Sequence, residues 1–90
     1  MTVTKSFQIK NELGIHARAA ALLVQTSSRY RSRIVLEKDG IEVDGKSILG
    51  IMTLACPRGS VLSVTAEGDD AVEAIDDIGR LIENKFGERN

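Results

Sequence analysis

The sequence predicts an α+β fold of order β-α-β-β-α-β-α, an open-faced sandwich in which a four-stranded antiparallel sheet carries three helices on one face. Three observations predict it: an alternating segment at the start of the chain, an Asp-Gly pair between two β-branched segments, and an apolar stripe with helical spacing near the end. The sheet closes if strand four runs between strands one and two. Residues 1–90 are expected to form a single domain, because a chain of this length supplies one hydrophobic core.

The first strand and the first helix are separated by a break at Gly14. Residues 3–9 alternate between apolar and polar side chains, with Lys5 as the exception on the apolar side, which is typical of a half-buried strand. After the break, residues 17–28 are rich in alanine, leucine and other strong helix formers. The first helix is therefore predicted to begin at or beside His16.

The middle of the chain predicts a β-hairpin and then a short helix. Residues 33–38 and 41–43 contain β-branched residues, and the Asp-Gly pair between them suits a type I′ turn because both residues tolerate positive φ. These two segments are the expected strands two and three. Ser47 is the expected N-cap of a short helix that runs to Leu54, where the sequence Cys-Pro-Arg-Gly stops it.

The last strand and the last helix complete the predicted order. Residues 61–64 supply strand four, and Asp70 with Glu73 forms a capping-box-like start for the helix that follows. Apolar residues then recur at spacings of three and four, as a single buried stripe on one helix requires. The members of this stripe are Val72, Ile75, Ile78, Ile82 and Phe86.

The composition excludes several classes of function. The 12 Lys and Arg residues nearly cancel the 13 Asp and Glu residues, and the net charge of −1 gives no general attraction to nucleic acid or to an anionic membrane. A single cysteine excludes an internal disulfide, and one cysteine with one histidine cannot build the usual zinc cages, so we expect no metal and no cofactor. The first residues lack the apolar run of a signal peptide, which favours a cytoplasmic location.

His16, the only histidine, lies at the predicted N-terminus of the first helix. The free N–H groups at a helix N-terminus, from Ala17 onward, suit a bound anion, and the guanidinium of Arg18 adds donors that match phosphate oxygens. These positive surroundings are expected to keep His16 a neutral nucleophile that can take a phosphoryl group. On residue types alone, a histidine that merely caps the helix is the alternative.

Three segments carry a resemblance to a known family. Residues 14–20, Gly-Ile-His-Ala-Arg-Ala-Ala, resemble the active-site signature of the histidine-containing phosphocarrier protein, HPr, of the bacterial phosphotransferase system. Residues 45–54 are similar to the second signature of that family, and residues 66–74 are similar to its approach to the last helix. The resemblance therefore covers essentially the whole chain.

The resemblance implies that His16 accepts phosphate on Nδ1 from enzyme I and donates it to enzyme IIA domains, with Arg18 assisting. It implies a stoichiometric carrier, which we expect to be a monomer, and not an enzyme that acts on small substrates. The family usually has proline at the position of Ala19, and alanine there removes a local stiffener of the first helical turn.

The resemblance permits a second role for Ser47, beside its role as the cap of the short helix. In some lineages of the family the matching serine is phosphorylated by a dedicated kinase, so the resemblance permits a serine kinase and phosphatase as partners. The alternative function is a regulatory binding module that acts through phosphorylated Ser47. If Ile51 and Leu54 point inward, three apolar side chains form an outer patch suited to partner docking. These are Ile48, Leu49 and Met52.

One motif in the sequence is misleading. Residues 40–47 satisfy the P-loop pattern G-x-x-x-x-G-K-[ST], which in another context would indicate nucleotide binding through Lys46. A P-loop is a glycine-rich turn between a strand and a helix, whereas residues 41–43 alternate as a strand after a hairpin turn. Nucleotide binding is therefore not expected, and Cys56 is expected to be an inert, partly buried thiol.

Overall fold

The computed structural model describes residues 1–89, in which four strands form one sheet and three α-helices accompany it. The strands are β1 (Thr2–Gln8), β2 (Arg33–Lys38), β3 (Ile41–Asp44) and β4 (Val61–Glu67), and the helices are α1 (Ala17–Ser28), α2 (Ile48–Thr53) and α3 (Ala71–Glu83). The strand order is β1-β4-β2-β3, and every neighbouring pair is antiparallel. The predicted α+β open-faced sandwich, with β4 between β1 and β2, is confirmed. Within residues 1–89, no helix has the length and apolar character needed to cross a bilayer.

The register of the strands places the apolar residues of the sheet on one face. Phe7 lies opposite Leu62, Val64 lies opposite Leu36, and all four side chains are buried. The other face is mainly polar, and there the hydroxyl of Thr65 shares a hydrogen bond of 2.9 Å with the facing threonine of β1. Because side chains alternate along a strand, this register gives one core face and one solvent face.

Two local signals in the middle of the chain are confirmed. Asp39 and Gly40 have φ angles of 53° and 82°, so both residues of the β2–β3 turn adopt the positive φ of a type I′ turn. Ser47 is the N-cap of α2, and its Oγ accepts a hydrogen bond from the N–H of Gly50 at 3.1 Å. This cap fixes where α2 begins.

The apolar stripe of α3 is confirmed in its central part. Ile75, Ile78 and Ile82 are buried in the core. Val72 is 45% exposed, so its predicted burial is wrong. A helix turns by about 100° per residue, and at that spacing it is the fully buried Ala71 that points along the centre of the stripe.

Phe86 is buried, but it is not a residue of α3. The helix ends at Glu83, and Phe86 lies in the 3₁₀ turn that follows, Lys85–Gly87. Lys85 and Phe86 have φ angles of 57° and 55°, in the left-handed region, so the chain changes direction here. The predicted burial of Phe86 is confirmed, and its predicted place in the helix is wrong.

Asp70 occupies the N-cap position of α3 without capping the helix. Its carboxylate instead accepts hydrogen bonds from the N–H groups of Arg31 at 2.9 Å and Ser32 at 3.0 Å, and from the Ser32 hydroxyl at 2.5 Å. These bonds, that of the Ser32 hydroxyl first, hold the pKa of Asp70 below its ordinary value. The predicted capping box is wrong, because the Asp70 carboxylate accepts its hydrogen bonds from the loop between α1 and β2 and not from α3.

Candidate active site

His16 ends the loop before α1 and occupies the N-cap of that helix. Its backbone is extended, with φ of −89° and ψ of −176°, and its carbonyl accepts a hydrogen bond from the N–H of Ala20 at 2.9 Å. Among residues 1–89 the imidazole makes no capping hydrogen bond, and 29% of the side chain is exposed. His16 thus occupies the N-cap position, but its side chain does not cap the helix.

The loop before His16 is held by its backbone and by one buried amide. Gly14 has a φ of 68°, and a Cβ at this position would lie 2.4 Å from the carbonyl oxygen of Cys56, so glycine is required. Ile15 donates its N–H to that same carbonyl at 2.9 Å. Asn11 is fully buried and donates its side-chain amide to the carbonyl of Gly14 at 2.7 Å. Together these contacts fix the point at which the imidazole emerges.

The start of α1 supplies the donors predicted for an anion. The amides of Ala17, Arg18 and Ala19 belong to the first turn of α1, where the backbone N–H groups have no hydrogen-bond acceptor within the helix. This first turn contains no acidic residue. The half-exposed side chain of Arg18 donates through Nη2 to the carbonyl of Phe86 at 3.0 Å. The structure thus brings together the residues predicted to bind phosphate, since Ala17 and Arg18 directly follow His16 at this helix terminus.

Glu88 completes the site, and no pattern in the sequence indicates it. Its carboxylate oxygen Oε2 lies 2.7 Å from Nε2 of His16 and 3.2 Å from Nη2 of Arg18. The side-chain amide of Asn11 donates to both carboxylate oxygens, at 3.1 and 3.2 Å. Only 10% of the Glu88 side chain is exposed. The positive surroundings predicted for His16 are therefore only part of its environment, because an acidic group lies directly against the ring.

The neighbours of Glu88 favour its ionised form. The hydrogen bond with His16 lowers the pKa of Glu88 most, desolvation raises it, and the amide of Asn11 and the guanidinium of Arg18 lower it further. The resulting pKa lies below the ordinary value, so the group is a negative charge at neutral pH. The nearest signal in the sequence is Phe86, two residues before Glu88. An apolar residue here predicts that the chain is buried at this point, but it does not predict that the chain then turns toward His16.

Ser47 and the outer side of α2 form the second predicted surface. The Ser47 side chain is half-buried as the cap of α2. Ile51 and Leu54 are buried, which is the orientation that the predicted patch requires. The outward-facing apolar residues of the helix are Ile48, Leu49 and Met52, all exposed. Because α2 packs against α1, the patch belongs to the helix next to the one that begins at the imidazole.

The P-loop-like segment is a strand followed by a tight turn. β3 occupies Ile41–Asp44, and Lys46 donates its Nζ to the carbonyl of Tyr30 at 2.7 Å. The N–H of Lys46 donates to the Asp44 carboxylate at 2.9 Å. A lysine held in this way supports the prediction that the segment binds no nucleotide phosphate. Cys56 is buried, and burial raises the pKa of its thiol, which favours the unreactive form.

Comparison with known proteins identifies the family. A family model described as PTS HPr component phosphorylation site matches residues 3–84. The phosphocarrier protein HPr of Treponema pallidum is 48% identical over 96% of this chain and 98% of its own length. The crystal structure of HPr from Thermoanaerobacter tengcongensis has a TM-score of 0.95 at 50% identity, with 98% of this chain and 99% of that chain covered. An HPr dimer from the same organism has a TM-score of 0.78 at 54% identity, with 91% and 94% covered. This chain belongs to the HPr phosphocarrier family of the phosphotransferase system.

Proposed function

We propose that this protein accepts a phosphoryl group on Nδ1 of His16 from enzyme I and donates it to enzyme IIA domains of the phosphoenolpyruvate-dependent phosphotransferase system. One observation carries the proposal: the partly exposed imidazole uses Nε2 to contact Glu88, while Nδ1 has no hydrogen-bond partner among residues 1–89. Nδ1 is therefore the ring nitrogen available to an incoming phosphorus atom. Membership of the HPr family supports the same chemistry.

In the proposed transfer the lone pair of Nδ1 forms a bond to phosphorus. The bond between phosphorus and the donor breaks, and its electron pair leaves with the donor. The amides of Ala17 and Arg18 belong to the first turn of α1, and in this proposal they donate to the phosphoryl oxygens while the guanidinium of Arg18 offsets the negative charge of those oxygens. A ring that keeps its proton on Nε2 becomes cationic after the transfer, which makes it a good leaving group for the next one.

The same proposal makes the protein a stoichiometric carrier and not an enzyme. Each phosphoryl group loaded on His16 is removed before the next one arrives, so no small substrate has to be bound. We propose a cytoplasmic monomer that works with no metal or cofactor. Since a similar solved structure is an HPr dimer, sedimentation at working concentration is the check on the monomer, and a stable dimer would contradict it.

We propose the apolar patch on α2, made of Ile48, Leu49 and Met52, as the surface that partners recognise. Leu49 is 78% exposed, so its burial by a partner would remove a large apolar side chain from water. Leu49→Asp is expected to raise the KM of enzyme I for this protein by about tenfold, with a smaller effect on kcat. Val72→Asp, on the exposed side of α3, is the matched control, and an equal effect of the two changes would contradict a docking role for α2.

The central experiment is loading of the protein by phosphoenolpyruvate and enzyme I. The expected product is an acid-labile, base-stable phosphoprotein with a mass gain of one phosphoryl group, and His16→Ala should abolish it. Lys46→Ala is the control, because it removes the lysine of the P-loop-like segment and should leave loading intact. A label that persists in His16→Ala would refute the proposal.

A second candidate function is regulation through phosphorylated Ser47. The observation that favours it is the place of Ser47 at the start of α2, next to the exposed patch. A phosphate there would add negative charge beside the docking surface and repel an acidic partner. This function predicts a partner complex that depends on Ser47 phosphorylation and persists in His16→Ala, and a complex indifferent to Ser47→Ala would exclude it.

A further inference from the structure

The tail after α3 returns to the active site through an unusual turn. Lys85, Phe86 and Gly87 all have positive φ, at 57°, 55° and 78°. Two of the three are not glycine, and such residues rarely adopt this conformation without support from their surroundings. The support is visible, because Phe86 is buried in the core and its carbonyl accepts a hydrogen bond from Arg18 at 3.0 Å. The anchored turn delivers Glu88 to the imidazole.

The carboxylate of Glu88 is held by three different side chains. Oε2 contacts Nε2 of His16 at 2.7 Å and Nη2 of Arg18 at 3.2 Å, and both oxygens accept from the buried amide of Asn11. Donors of three side chains therefore converge on one carboxylate. This convergence, with only a tenth of the side chain exposed, distinguishes Glu88 from a surface ion pair, which would be worth little.

The contact with Nε2 has a chemical consequence for the ring. A carboxylate is only an acceptor, so a hydrogen bond at 2.7 Å requires the proton to be on Nε2. In a neutral imidazole the other nitrogen, Nδ1, then carries the lone pair. After phosphoryl transfer to Nδ1 the ring is cationic with its proton still on Nε2, and the adjacent carboxylate stabilises that charge.

We propose that Glu88 is a positioning residue for phosphoryl transfer: its carboxylate holds the proton on Nε2 of His16, presents the lone pair of Nδ1 to the donor, and balances the positive charge of the phosphorylated ring. The inference rests on the proposed function and goes beyond it, because it assigns a role to the tail that follows α3. The titratable groups that face the carboxylate are His16 and Arg18, and both complement a negative charge.

The first test is a spectroscopic one on the unphosphorylated protein. Nitrogen-15 spectra of the imidazole distinguish protonation at Nε2 from protonation at Nδ1, at a pH where the ring is neutral. The wild type is expected to show the Nε2–H form alone. Glu88→Gln keeps an amide oxygen that can accept the same hydrogen bond and should preserve that form, whereas Glu88→Ala should show a detectable Nδ1–H form.

The second test is kinetic and uses the same variants with enzyme I and phosphoenolpyruvate. Glu88→Ala is expected to lower kcat by about tenfold to a hundredfold with little change in KM, since it misplaces the nucleophile and leaves docking intact. Glu88→Gln should recover part of that loss, because it restores the hydrogen bond without the charge. Glu83→Ala is the matched control, because it removes a carboxylate at the end of α3 whose partner is Lys10 at 2.8 Å, and it should behave as wild type.

The outcomes separate this inference from the proposed function. A wild type that takes no phosphate on His16 contradicts the proposed function itself. A wild type that is loaded normally, with a Glu88→Ala variant that matches it in ring protonation and in kcat, overturns the role of Glu88 alone. A loss of rate in Glu88→Ala without any change in the protonated nitrogen overturns the positioning role, because the carboxylate would then act on the transfer through its charge alone.

Discussion

Asn11 links the loop before α1 to the tail after α3. This side chain is fully buried, and its Nδ2 donates to the carbonyl of Gly14 and to both carboxylate oxygens of Glu88. Its Oδ1 has no partner within residues 1–89, so the donors alone account for its hydrogen bonding there. One amide group therefore holds two distant segments of the chain in a fixed relation to the imidazole between them.

Asn11→Ala is expected to destabilise the protein by about 1–3 kcal/mol, because it removes the buried donor that the carbonyl of Gly14 and the carboxylate of Glu88 share. Urea unfolding followed by circular dichroism measures the change. Asn84→Ala, at an exposed asparagine, is the control and should stay within about 0.5 kcal/mol of wild type. Equal losses in the two variants would contradict the linking role.

The residues of the active site differ in how far the sequence determines them. His16, Ala17 and Arg18 are adjacent in the chain, so a helix start predicted from local composition brings them together. Glu88 reaches the same point only because Lys85 and Phe86 adopt left-handed backbone angles, and neither residue type favours them. That conformation depends on tertiary contacts of the tail, which no local pattern encodes.

At the scale of elements, the N-caps of α2 and α3 show how tertiary structure decides between equivalent local patterns. Ser47 bonds to Gly50 within its own helix, whereas Asp70 bonds to Arg31 and Ser32 in another part of the chain. Both residue types are good N-caps, and the sequence predicts a cap at both positions. Asp70 does not cap α3 because the N–H groups of the loop between α1 and β2 lie close enough to donate to its carboxylate.

Ser47→Ala is expected to cost about 1 kcal/mol, because it removes the acceptor for the N–H of Gly50 at the start of α2. Ser47→Asp is the matched variant and should retain most of the stability, since aspartate caps as well as serine does. Thermal unfolding of the two variants checks this. If Ser47→Ala proves as stable as wild type, the cap contributes nothing.

Asp70 makes the stability of the α1–β2 loop dependent on pH. Its pKa is lower in the folded protein than in the unfolded chain, so the folded state binds the proton more weakly. The stabilisation by the Asp70 carboxylate is therefore fully present above the ordinary carboxyl pKa of about 4. It is lost as the pH falls through the lower pKa that Asp70 has in the folded protein. The unfolding temperature of Asp70→Asn should lie below that of wild type at neutral pH, and this difference in unfolding temperature should become smaller on acidification.

Asp69→Asn, at an exposed neighbour, is the control, and its difference from wild type should not change with pH. A difference for Asp70→Asn that is independent of pH would contradict the stabilising role of the Asp70 carboxylate.

At the scale of the whole molecule, the order of elements and the closure of the sheet follow from the sequence. Period-two alternation in β1, the Asp-Gly turn and the stripe of α3 each specify one element, and the strand order β1-β4-β2-β3 is compatible with all of them. The path of the chain after Glu83 does not follow, because apolar spacing reports that Phe86 is buried without reporting the turn that buries it. The fold was thus more predictable than the full active site.

The most direct test of the central claim is to identify the ring nitrogen that carries phosphorus. The wild-type protein is loaded by enzyme I and phosphoenolpyruvate, and phosphorus-31 spectra are correlated with the imidazole signals of His16. We expect a single phosphorus resonance coupled to the ring through Nδ1. Phosphorus on Nε2, on a serine such as Ser47, or absent from the loaded protein would contradict it.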